Sequence, residues 1–111
     1  MPITLDKLKG SMPPLITPFK NGEVDYDTYA SLISFQIDKG SHGILVNGTT
    51  SEPSTLTIQE RNEIVDVAID VNQGKLPIVV ASGSQSLAET KALSCYAEET
   101  GADAILIVTP Y

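Results

Sequence analysis

Apolar side chains along this chain recur in two alternating rhythms. In the first, Tyr26, Tyr29, Ile33 and Ile37 follow Asp25 at helical spacings and stop before Gly40. Ile58, Ile64, Val65, Ala68, Ile69 and Val71 do the same between Thr57 and Gly74, and Leu93, Tyr96 and Ala97 between Ser86 and Gly101. The spacing predicts three amphipathic helices. Each opens on a side chain that can accept from first-turn amides. Thr57-Ile58-Gln59-Glu60 and Ser86-Leu87-Ala88-Glu89 also have the capping-box form. A glycine able to turn left-handed follows each. In the second rhythm the apolar runs are unbroken: Leu15-Ile16, Gly43-Ile44-Leu45-Val46, Pro77-Ile78-Val79-Val80-Ala81 and Ala104-Ile105-Leu106-Ile107-Val108. Runs that do not alternate with polar residues predict strands covered on both faces, the habit of parallel sheets.

The predicted order is β-α-β-α-β-α-β, with strands starting about 30 residues apart, the size of a right-handed βαβ unit. Neither a linker nor a change of composition interrupts residues 1–111, so one domain without an internal boundary is expected. An open doubly wound sheet and a (β/α)8 TIM barrel both use this alternation. The sequence ends at Tyr111, directly after its fourth predicted strand, where a complete doubly wound domain would place a closing helix. A whole barrel takes about 250 residues. The expected fold is therefore α/β, the amino-terminal half of a TIM barrel, with about four parallel strands, three helices and two apolar strand edges left open.

Charge narrows the partners. Against 14 acidic side chains stand 7 basic ones, a formal net charge of −7, and the six lysines and one arginine form no cluster. Phosphate backbones and anionic lipid would meet net repulsion, so neither nucleic acid nor membrane is an expected partner. No apolar run reaches the roughly 18 residues of a membrane span, and the start has no signal-peptide core. Cys95, the one cysteine, cannot form an internal disulfide. These features predict a cytoplasmic protein.

In either architecture ligands bind beyond the carboxyl ends of the strands. Those ends are Thr17-Pro18-Phe19, Asn47-Gly48-Thr49-Thr50-Ser51-Glu52, Ser82-Gly83-Ser84 and Thr109-Pro110-Tyr111. Hydroxyls and small residues dominate this lip. It suits a small polar anion held by hydroxyl and amide donors, and it suits a divalent metal poorly. In the second segment Gly48 allows close backbone approach, Thr49 and Thr50 point donors in different directions, and Glu52 could orient the turn by accepting backbone amides. A turn that merely satisfies its own backbone explains the same residues equally well.

The segment Gly43-Ile44-Leu45-Val46-Asn47-Gly48-Thr49-Thr50-Ser51-Glu52 resembles the motif after the second strand of the dihydrodipicolinate synthase/N-acetylneuraminate lyase family of pyruvate-dependent class I aldolases. Pro14-Leu15-Ile16-Thr17-Pro18-Phe19, with Gly22 and Asp25, is similar to that family's first strand and turn. Glu60 and Thr109-Pro110-Tyr111 match in placement too. Ser51 departs from the usual glycine and Pro53 from a commoner small residue. A serine there would add a hydroxyl at the lip and alter substrate choice.

The resemblance implies a Schiff base between a buried lysine and pyruvate, with an aldehyde added or released at the methyl carbon. By position, Thr50 would bind the pyruvate carboxylate and Thr49 would sit in a proton-relaying hydroxyl chain. Gly48, Ser51 and Glu52 would support the motif. Tyr111 matches the first of a tyrosine pair, of which the second is the relay member. No cofactor, metal, nucleotide or flavin is implied; the partners would be pyruvate, an aldehyde and, in a full-length homotetramer, copies of the same protein. Condensation of the 4-hydroxy-tetrahydrodipicolinate synthase kind leads. N-acetylneuraminate lyase and 2-keto-3-deoxy-sugar-acid aldolase activities are close alternatives.

A Schiff-base lysine must be desolvated near the carboxyl end of a strand. Lys39 and Lys91 fall on predicted helices, Lys75 at the wrong end of the sheet, and Lys7, Lys9 and Lys20 in the leader and a turn. The family's lysine arrives on a later strand, so these 111 residues alone are expected to be inactive. His42 reads as a structural or surface histidine, Cys95 as a packing residue, and Glu98, Glu99, Asp66 and Asp70 as solvated helix faces. Ser84 and Ser86 read as caps or an anion site, and Tyr26, Tyr29 and Tyr96 as packing. The rival readings are a truncated, non-catalytic paralogue and an α/β binding module. The module lacks support, because the strand ends carry neither acidic clusters nor Gly-x-Gly-x-x-Gly.

Overall fold

The computed structural model describes residues 4–110. After a single 3-10 turn at Leu5–Lys7, strands β1 (Phe19–Lys20) and β2 (Glu23–Val24) form a small antiparallel hairpin. Only a turn was expected there. Asn21 and Gly22 both have positive φ, +54° and +80°, as a two-residue type I′ turn requires, so the Asn-Gly pair held the signal. Then follow α1 (Tyr26–Asp38), β3 (Ile44–Val46), α2 (Ile58–Asn72), β4 (Ile78–Ala81), α3 (Leu87–Thr100) and β5 (Ala104–Leu106).

The three expected helices form with the expected N-caps. Asp25 accepts from the amide of Thr28, and Thr57 and Glu60 exchange both bonds of a capping box. At α3 Ser86 accepts from the amide of Glu89, while the Glu89 carboxylate takes the Ser84 hydroxyl at 3.2 Å. At the end of α2 the left-handed turn begins one residue early, on Gln73.

Strands β3, β4 and β5 are parallel and lie in that order, with Ile44 opposite Ile78 and Val79 opposite Ala104. The strand expected at Leu15-Ile16 is reduced to one parallel bridge between Pro14 and Leu45. Leu15 donates to the Leu45 carbonyl at 3.2 Å, and Leu45 donates to that of Pro13 at 3.1 Å. Pro13, Pro14 and Pro18 have no N–H, so the ladder cannot extend. The segment still occupies the position of a fourth strand beside β3. At the other edge β5 stops at Leu106, because its partner β4 ends at Ala81.

Burial alternates along β3 and β4. Ile44, Val46, Ile78 and Val80 point into a core completed by Tyr29, Ile33, Ile64, Val65, Ala68 and Ala97 of the helices. Each buried Ile or Val contributes about 1.5–3 kcal/mol. The opposite face, with Leu45 and Val79, is only half-covered, and Ile105, Leu106, Ile107 and Val108 are exposed. The apolar runs thus equip the sheet for two covered faces, and the helices of this chain cover one.

Helix α2 packs against both other helices and is tied to each by a tyrosine. The Tyr26 hydroxyl of α1 donates to Glu63, and that of Tyr96 in α3 donates to Asp66 at 2.7 Å. Asp66 is therefore a tie between helices as well as an exposed residue. At the amino ends of the strands, His42 exchanges two bonds with the Ser11 backbone, which bears out its structural reading. Cys95, expected to pack, is exposed on α3.

Candidate active site

The carboxyl end of β3 runs into Asn47, whose backbone is left-handed at φ +62°. Asparagine tolerates that region better than most residues. Its turn aims the next residues along two consecutive 3-10 turns, Thr49–Ser51 and Pro53–Thr55. These turns escaped the sequence reading. Thr49 and Thr50 are exposed, as a donor-bearing lip requires. They border a cleft of about 1000 Å³, together with Gly48, Glu52, Pro53, Gly83, Ser84 and Leu106. The structure thus brings the ends of β3, β4 and β5 around one space.

Three motif residues act differently from expectation. Gly48 has an ordinary φ of −69°, and a Cβ there would meet Leu45 Cδ2 at 3.0 Å, so its smallness serves packing under the turn. Ser51 is buried; its hydroxyl donates to the Gly48 carbonyl at 2.8 Å and is not presented at the lip. Glu52 does not orient the turn through its carboxylate. Its left-handed backbone (φ +58°) presents the carbonyl, which accepts from the amide and the hydroxyl of Thr55 at 3.0 and 2.7 Å. Tyr111 lies outside the described residues.

The other strand ends brace the lip. Thr17, buried, donates to the Ser51 carbonyl at 2.8 Å. Ser82 is fully buried, with its hydroxyl 2.8 Å from that of Ser94 in α3. Gly83 is forced by close approach: a Cβ there would stand 2.7 Å from the backbone nitrogen of Val108. Ser84 donates its hydroxyl to the Glu89 carboxylate and Ser86 caps α3, so both hydroxyls are engaged within the fold.

One lining residue was missed altogether. Arg61, in the first turn of α2, is 6% exposed and donates through Nη2 to the carbonyls of Ala81 (3.1 Å) and Gly83 (3.3 Å). Its backbone carbonyl accepts from Nδ2 of Asn47 at 3.1 Å. Its position, four residues after an N-cap and on the buried side, was the available signal. All six lysines are exposed, so none is a desolvated amine. Among the described residues no three His, Cys, Asp or Glu side chains converge as metal ligands, and no helix is long and apolar enough to cross a membrane.

Comparison with known proteins decides the ancestry of this arrangement. A model of the dihydrodipicolinate synthetase family matches residues 7–111. The chain belongs to that family. A 4-hydroxy-tetrahydrodipicolinate synthase of Nitrobacter hamburgensis is 46% identical over 105 residues, covering 95% of this chain and 36% of that protein. Dihydrodipicolinate synthase from Aquifex aeolicus superposes with a TM-score of 0.89 at 42% identity, over 92% of this chain and 35% of the other. An N-acetylneuraminate lyase from Mycoplasma synoviae gives a TM-score of 0.93 at 32% identity, over 97% and 38%. The chain spans about a third of the length of the curated family relatives it matches. Its fold is the amino-terminal part of the family's (β/α)8 barrel, as the strand–helix order predicts.

Proposed function

We propose that this chain supplies the pyruvate-binding lip of a class I aldolase that condenses pyruvate with an aldehyde in the manner of 4-hydroxy-tetrahydrodipicolinate synthase. The observation that carries the reading is the exposed Thr49-Thr50 pair at the carboxyl end of β3, on the rim of the cleft. The Thr50 hydroxyl binds the pyruvate carboxylate, Thr49 passes protons between tyrosines, and Tyr111 is the first of the tyrosine pair. Gly48, Ser51 and Glu52 hold the turn that carries the pair. Catalysis needs a lysine desolvated at a strand end, and all six lysines here are exposed; the nucleophile belongs to a later strand of a longer protein. In that protein we expect a cytoplasmic homotetramer that uses no cofactor.

The test begins with the intact mass of the protein in its native source, expected near three times that of this chain. That protein, treated with pyruvate and borohydride, is expected to gain one reduced adduct on a single lysine, and the 111-residue chain none. An adduct on a lysine of the isolated chain overturns the account of the nucleophile. A native protein that traps no pyruvate overturns the function.

The superposition on an N-acetylneuraminate lyase favours a second reading of the aldehyde. Cleavage of N-acetylneuraminate by the native protein, with release of pyruvate, would decide for it.

A further inference from the structure

We infer that Asn47 and Arg61 are positioning residues: together they form a brace that sets the spacing between the threonine turn and the end of β4. This inference rests on the proposed reading of the lip and adds to it two residues that touch neither pyruvate nor aldehyde. Asn47 immediately precedes the turn, and its Nδ2 donates to the Arg61 carbonyl at 3.1 Å. The side chain of the same Arg61 donates to the carbonyls of Ala81 and Gly83 at 3.1 and 3.3 Å. One residue of α2 thus holds the β3 loop by its backbone and the β4 loop by its guanidinium.

Both side chains are buried, Asn47 at 2% exposure and Arg61 at 6%, so neither is a surface contact that solvent would replace. Bonds from a charged donor are the stronger kind, and leaving these partly buried carbonyls without their donor is costly. Both bonds come from one nitrogen, Nη2, whose two hydrogens serve carbonyls two residues apart. Arg61 is also the only arginine in a chain of net charge −7, and it lines the cleft where an anion is to bind.

Two measurements test the brace. In the native protein, amide exchange is followed at Ser51 and Ser82, which sit on the two loops and donate to the carbonyls of Gly48 and Leu106. Arg61→Met removes both guanidinium bonds at the end of β4 and is expected to speed exchange at Ser82 at least about tenfold, with the α2 core amides of Ile64 and Val65 unchanged. In the native protein, Arg61→Met is expected to raise KM for pyruvate about tenfold with kcat within about threefold, and Arg61→Lys to recover part of it. A purely structural role would lower the folded fraction and leave KM alone. Asn47→Gly, which keeps the left-handed backbone and removes the bond to the Arg61 carbonyl, is expected to speed exchange at Ser51 about tenfold and to raise KM likewise, and it is read alone should Arg61→Met not fold. Unchanged exchange at Ser51 and Ser82 overturns the brace. Altered exchange with no pyruvate trapped by the native protein leaves the brace standing and overturns the function. Altered exchange with unchanged KM overturns its part in pyruvate binding.

Discussion

The Thr17 hydroxyl donates to the backbone carbonyl of Ser51 across 2.8 Å, linking the proline-broken first strand to the turn that carries the two threonines. Both residues are buried, at 6% and 1% exposure. Thr17→Val keeps the shape and removes the donor. It is expected to cost about 1–3 kcal/mol, since the carbonyl loses its side-chain partner in a dry setting. A fall in the urea midpoint at unchanged slope is the check; an unaltered midpoint would mean that water replaces the bond.

Ser51→Ala is expected to be milder, about 0.5–1.5 kcal/mol. The Gly48 carbonyl that accepts the Ser51 hydroxyl also accepts the Ser51 amide at 2.9 Å, so it keeps a partner. Because the hydroxyl faces the protein, the variant is expected to leave the relative kcat/KM for competing aldehydes in the native protein unchanged. A shift in that ratio would return Ser51 to the lip.

Gly83→Ala places a Cβ 2.7 Å from the nitrogen and 3.1 Å from the oxygen of Val108, both backbone atoms that cannot rotate away. The segment after β5 must move, at a cost of about 1–3 kcal/mol. Thermal unfolding reads the loss, and a variant as stable as the parent would show that residues 107–108 yield freely.

The tyrosine ties on α2 make stability depend on pH at both extremes. Burial, and after it the bond to Glu63, pushes the Tyr26 hydroxyl well above its usual value, and the bond to Asp66 raises that of Tyr96. A raised tyrosine contributes stability that is whole below its ordinary value of 10.0 and is lost as pH climbs toward the folded-state value. The Tyr26 hydroxyl in turn lowers the Glu63 carboxyl. That contribution is present above the ordinary 4.5 and disappears as pH falls through the lowered value. Tyr26→Phe is therefore expected to be less stable than the parent at neutral pH, with the gap closing in acid below about 4.5 and in strong alkali. Urea titrations across pH measure the gap; a constant difference would exclude the ties as its source.

Much of the molecule was legible from spacing and caps. Asp25, Thr57 and Ser86 start their helices because capping is settled within four residues. The Thr49-Thr50 lip was legible because strand ends can be counted from apolar runs. The Asn21-Gly22 hairpin was legible and was passed over. The bridge at Pro14 was knowable in part, since three prolines in six residues remove the donors that a ladder needs.

Local sequence, then, determined the order of elements, the face each helix buries and the place of the lip, because propensity, capping and periodicity act over a few residues. Tertiary structure alone decided which way the polar groups of the lip turn. Ser51 and Glu52 carry side chains that suit a ligand, yet one hydroxyl is folded inward and the other residue works through its carbonyl. Arg61 looks like any helix arginine until β4 is laid beside it, with carbonyls 3.1 and 3.3 Å away. Those partners lie 20 and 22 residues along the chain, and only the closing of the parallel sheet over α2 brings them into reach.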